Sequence, residues 1–96
     1  MASFEEHCAQ AERSFGQPYA ELHLWLDEYC GKPGYGTRHR RARHHEAGIR
    51  EAVRIFGPDV EMVARQHIIT DLRQEGWTEQ DAFPQDERHY VTLGFW

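Results

Sequence analysis

The Gly57-Pro58-Asp59 break interrupts the longest helical pattern in this 96-residue chain and constrains most of what the chain can fold into. Proline cannot continue a helix and glycine supplies the backbone freedom that reverses it, so the residues on either side should meet as an antiparallel helical pair. At 100° per residue, Ala42, Ile49, Ala52, Val53 and Phe56 share one face before the break, with His45 near its centre and His44 and His39 at opposite edges. After the break, Val60, Val63, Ala64, Ile68 and Leu72 form the apolar stripe, and His67 and Asp71, at positions i and i+4, lie within it. Positions equidistant from the turn come level, because both helices rise about 1.5 Å per residue. His45 is therefore expected across from Asp71, with His44 and His67 close by.

Polar, metal-capable side chains inside an apolar stripe point to a site. A His/His/Asp cluster between facing helices is how metal centres in helical proteins are built, and neutral imidazole with carboxylate suits a divalent transition metal: zinc, iron, manganese or nickel. The expected ligands are His44 or His45, His67 and Asp71. His23 joins them with Asp27 in support, and His39 and His7 are further candidates. The spacing matches no named zinc motif such as His-Glu-x-x-His. A hydrogen-bonded His–Asp network with no ion would use the same residues.

The rest of the chain supplies the frame. Ser3 with Glu6 reads as a capping box opening a first helix, whose stripe is Phe4, Cys8, Ala11 and Phe15, with His7 at its edge. Gly16-Gln17-Pro18 ends it. A second helix over residues 18–29 buries Leu22, Trp25, Leu26 and Tyr29, with His23 and Asp27 flanking that face. Asp27 should come level with His7 across the turn. Residues 30–36 are a loop by their glycine and proline content, and Gly76-Trp77 closes the fourth helix. Pro84 allows little more than a turn after Thr78, and residues 89–96 alternate like a short strand. A lone strand must pack across the helices or pair with another subunit, which suggests a homodimer through the tail. The expectation is an all-α fold: four helices in two antiparallel hairpins, bundle-like, as one domain over residues 1–96 with a helical core at 1–77 and an extension at 78–96.

Composition narrows the function classes. Apolar residues are 40% and charged residues 28%, as in an ordinary globular protein. The formal charge of −5 disfavours nucleic acid as a partner. No apolar run has the length of a membrane span and no signal pattern opens the chain, so a cytoplasmic location is expected. Cys8 and Cys30 are too isolated for a disulfide framework. Arg38, Arg40, Arg41 and Arg43 crowd a helix start and can hold phosphate. The helical wheel turns Arg38 and Arg41 inward, where they can hold a substrate anion beside a metal, and Arg40 and Arg43 outward. Pairing with the chain's excess carboxylates is their plainer role.

The runs Leu22-His-Leu-Trp-Leu-Asp-Glu28, Arg38-His-Arg-Arg-Ala-Arg-His-His-Glu-Ala-Gly-Ile49, Ile55-Phe-Gly57 and Arg65-Gln-His-Ile-Ile-Thr-Asp-Leu72 resemble a family of short, His-rich helical bacterial and phage proteins classed as a domain of unknown function. The resemblance covers most of residues 1–77. It implies His23, Asp27, His39, His44, His45, His67 and Asp71 as pattern positions and names no activity. After Trp77 the family continues as a short helix, and this chain departs from it in sequence.

Together these readings favour a metal-binding helical protein whose enzymatic version is a metal-dependent hydrolase of a small molecule or phosphoester. The rival is an interaction module, binding a protein partner or a second copy, with a structural His/Asp network. Phosphate or nucleic-acid binding through residues 38–43 is the third.

Overall fold

A capping box opens the first helix, α1 (Phe4–Phe15): Ser3 Oγ accepts from the Glu6 amide at 3.1 Å, and Glu6 Oε1 accepts from the Ser3 amide at 3.2 Å. Gly16, left-handed at φ 86°, stops it. The computed structural model describes residues 3–30, 32–35 and 39–94, and among them it is all-helical, without a β-strand. After α1 come α2 (Ala20–Leu26), α3 (Glu46–Phe56), α4 (Glu61–Gln74) and α5 (Glu87–Leu93), with 3-10 turns at His39–Ala42 and Pro58–Val60. The Gly57-Pro58 break falls between α3 and α4 as the sequence indicates. Gly57, at φ 99°, takes a conformation that other residues avoid.

α4 is the hub, and α1, α2 and α3 all pack on it. Its buried face is Val63, Ala64, His67, Ile68, Asp71 and Leu72. Around this face the core takes Ala11 from α1, Leu22 and Leu26 from α2, and Ile49 and Ala52 from α3. Trp77 and Tyr90 close it from the C-terminal side. Fully burying a Leu or Ile side chain stabilises a fold by about 1.5–3 kcal/mol, so this apolar shell carries the helices that in turn hold the polar residues inside it.

Several expectations are corrected here. The buried face of α1 centres on His7 and Ala11, while Phe4 and Phe15 stand partly exposed at its two ends. α2 stops at Leu26, and the backbone turns through residues 27–30. The pattern before Gly57 is not one helix. A 3-10 turn runs to Ala42, residues 43–45 break it, and α3 starts only at Glu46.

The tail is not a strand. Asp86 caps α5 by accepting from the His89 amide at 2.8 Å, and Tyr90 is fully buried. α5 packs on the His39–Ala42 turn. Phe95 and Trp96, the end of the expected tail interface, lie outside the described residues. No described helix is long and apolar enough to cross a membrane.

Candidate metal centre

Six of the seven histidines are buried, His89 being the exception, together with Asp71 and Arg40. Four side chains converge. His44 Nε2 lies 3.0 Å from Asp71 Oδ2 and 3.4 Å from Asp27 Oδ1. His67 Nε2 lies 3.4 Å from the same Asp71 oxygen and 3.5 Å from the same Asp27 oxygen. Asp27, His44, His67 and Asp71 thus each offer one ligand atom to a common point.

Each arrives for a local reason. His67 and Asp71 sit one turn apart on the buried face of α4. Asp27 is the residue at which α2 ends, so its side chain turns from the helix toward α4. His44 occupies the break before α3. That break is set by its neighbours: His45 caps α3, its Nδ1 accepting from the Gly48 amide at 3.0 Å. A Cβ on Gly48 would fall 1.8 Å from the Arg43 carbonyl oxygen, so only glycine allows the turn to fold back so closely. The His-His-x-x-Gly-Ile run therefore reads as a donor to the cluster, a helix cap, a close approach and a core residue.

A second layer stands behind these four. His39 Nε2 lies 3.1 Å from Asp27 Oδ1. His23 Nδ1 lies 2.9 Å from His67 Nδ1. Only one of those two atoms can carry the proton in a neutral pair. His7 stacks on His67 with ring centroids 3.7 Å apart, and its Nε2 reaches Asp71 Oδ1 at 3.3 Å. Arg40 holds the same helix end, Nη2 standing 3.4 Å from Asp71 Oδ1 and Nη1 donating to the Asp71 carbonyl and to Glu75.

The electrostatics separate the acids from the imidazoles. Burial pushes His67 down to about 3, outweighing Asp27, which acts upward. Burial, with the neighbouring His7 acting in the same direction, pushes His23 down to about 4. Burial also lowers His44. Burial acts upward on Asp27, but the hydrogen bond with His39 and the neighbouring His67 and His44 rings outweigh it and hold the carboxyl well below the usual range. Asp71 is held low in the same way by His44 and His7. Neutral imidazoles beside ionised carboxylates are the protonation states that metal ligands need.

Three sequence expectations move. His45 is turned from the cluster: its Nε2 meets the Arg41 carbonyl and its Nδ1 caps α3, so His44 is the inward member of the pair. Asp27 meets His39, His44 and His67, while His7 meets Asp71. Among the arginines, Arg41 pairs with Glu87 at 2.5 Å and Arg43 with Glu28 at 2.6 Å, while Arg40 is the one buried beside the cluster. Arg38 lies outside the described residues. A 3-10 turn advances about 120° per residue, so a wheel drawn at 100° misplaces residues 39–42. Arg40 faces the cluster because of that turn, and His7 because the buried face of α1 carries it.

A cleft of about 180 Å³ opens on one side, lined by Ser3, Phe4, Asp27, Cys30, His39, Arg40 and Asp71. It reaches the two carboxylates, and neither His44 nor His67 lines it.

The family model for a domain of unknown function, DUF6915, matches residues 2–83. The chain belongs to that family. The match runs past Trp77 to the residue before Pro84, so the turn after α4 belongs to the shared pattern. No curated protein and no solved structure matches this chain.

Proposed function

We propose that this domain binds a divalent transition-metal ion through Asp27, His44, His67 and Asp71. One observation carries the reading: the four His-to-carboxylate separations across the cluster are 3.0, 3.4, 3.4 and 3.5 Å. Around an ion with bonds of roughly 2.0–2.2 Å, tetrahedral ligand atoms lie about 3.3–3.6 Å apart. The donor set suits zinc, iron, manganese or nickel, and the spacing favours zinc. The His23–His67 contact supports this. With the proton on His67 Nδ1 and donated to His23, the His67 Nε2 lone pair faces two carboxylates. That Nε2 makes no hydrogen bond. His44 Nε2 hydrogen-bonds Asp71 Oδ2 at 3.0 Å, and an ion entering between the His67 lone pair and the two carboxylates would take the place of that proton.

His23 and His39 then orient His67 and Asp27 from behind, as outer partners of metal ligands do. The cleft gives the ion a route to solvent on its carboxylate side. An ion reached in this way can polarise a phosphate or activate water, so hydrolysis of a small molecule or phosphoester is the enzymatic form of the reading.

The test is elemental analysis of untagged protein purified without added metal or chelator. About one equivalent of a single transition metal per chain is expected. No metal, followed by no thermal shift on adding zinc, manganese, iron or nickel, would overturn the proposal, since a ligand that binds the fold raises its stability by mass action. That outcome would favour an interaction module, for which Phe15, Met62 and Ile69 lining one shallow cleft are the supporting observation.

A further inference from the structure

The cleft beside the centre carries a cation that the metal does not need as a ligand. Arg40 is 4% exposed and lines the cleft with His39, Asp27 and Asp71. Its Nη1 is committed to the Asp71 carbonyl and Glu75. The Tyr90 hydroxyl also meets the guanidinium and Nη2 pairs with Asp71 Oδ1 at 3.4 Å, while Nε makes no hydrogen bond. His39 Nδ1 is also without a hydrogen bond. A buried donor without a hydrogen bond costs about 1–3 kcal/mol, and a guanidinium edge held by only one long ion pair suits the paired oxygens of an oxyanion.

We infer that the cleft binds a small tetrahedral oxyanion of the phosphate class, held between the metal ion and the Arg40 guanidinium. The inference rests on the metal reading above. Charge makes the binding conditional. Asp27 and Asp71 set two negative charges against the one of Arg40, a sum of −1 that repels an anion. A divalent cation changes the sum to +1. Glu75, whose side chain is 46% exposed, competes for Arg40 from outside and weakens the attraction without abolishing it. Size sets the class. The cleft is about 180 Å³, below the roughly 300–1,000 Å³ of pockets that enclose drug-sized ligands, so it takes a phosphoryl group and little more.

The test uses inorganic phosphate, titrated into full-length protein loaded with cobalt(II), followed by calorimetry and by the visible cobalt spectrum. Phosphate should bind and shift the spectrum. It should not bind the metal-free protein. Arg40→Met, which keeps the buried stem, should weaken phosphate about 10–100-fold when compared with the parent at equal cobalt occupancy, which the visible spectrum reads. Glu75→Gln, at an exposed position, should strengthen phosphate several-fold, and it carries the test alone if Arg40→Met does not fold. Cobalt binding with a flat phosphate titration would overturn the inference and leave the metal centre standing. Phosphate binding equally well without metal, or acetate competing on equal terms, would overturn it as well. Failure to bind cobalt would remove the metal reading and this inference together. Competition by phenyl phosphate would assign the site to a phosphoryl ester, and its absence to free phosphate.

Discussion

α2 and α4 each carry His-x-x-x-Asp, and the two copies meet the centre differently. On α4, His67 and Asp71 ride one unbroken helix, and both side chains are almost wholly buried against the cluster. On α2, the helix ends between the two residues, with Asp27 at its cap at φ −104° and ψ 13°. Asp27 swings to the cluster with its side chain 32% exposed, while His23 stays behind it and meets His67. Spacing of i and i+4 puts two side chains on one face only while the helix lasts. The end of α2 turns a matched pair into one carboxylate facing the centre and one imidazole a step behind.

The sharpest way to break that comparison is to remove one member from each pair. Asp71→Ala should lower metal affinity well beyond the roughly 10–100-fold that an outer partner contributes, and His23→Gln should stay within that range. Competition against a chromophoric chelator reads both, and equal losses would make the two pairs equivalent. Next in size is Gly48→Ala. The new Cβ would strike the Arg43 carbonyl, and the turn that delivers His44 to the α4 pair must shift. A loss of about 3 kcal/mol or more in thermal unfolding is expected, and an unchanged melting temperature would show that the turn yields freely.

Acid separates the two histidines further. The folded state holds His23 at about 4 and His67 at about 3, both below the ordinary 6.5. Between those limits and 6.5 the unfolded chain binds protons that the folded chain refuses. Stability of the metal-free protein is therefore complete above pH 6.5 and falls as pH drops through it, by up to about 1.4 kcal/mol per pH unit for each group. Melting temperatures measured from pH 7 to pH 5 should decline. A flat profile would mean that both imidazoles take up protons inside the fold. The smallest effect belongs to His45→Ala, which removes a helix cap. It should cost about 1 kcal/mol in a denaturant titration and leave metal content unchanged, whereas loss of the metal would return His45 to the ligand set.

Much of the frame was legible because its signals are local. The Ser3/Glu6 capping box, the Gly16 stop and the Gly57-Pro58 break each act within a few residues, and each stands where the sequence puts it. Within the cluster, His67 and Asp71 were legible because α4 is regular over its whole length. The misplaced residues lie where regularity fails. His45 looked central only on a helix that does not exist at its position, and Arg40 looked external for the same reason. The tail misled through a short alternating run, and the stronger signal was Asp86, three residues before His89, in a capping position. Which face of α1 is buried depends on α4, a partner far away in sequence, and no local pattern reports it.

The amides of Glu46 and Ala47, at the start of α3, donate to the carbonyls of Pro84 and Gln85 at 3.0 and 2.9 Å. A helix normally leaves such amides to water or to a side chain, and here a segment almost forty residues downstream takes them. These two protons are therefore a clock for the C-terminal segment: they exchange with solvent only when it lifts away. His44 stands two residues before the first of them, on the same turn. An ion gripping His44 would slow that clock, so the far end of the chain would keep time with the occupancy of its interior.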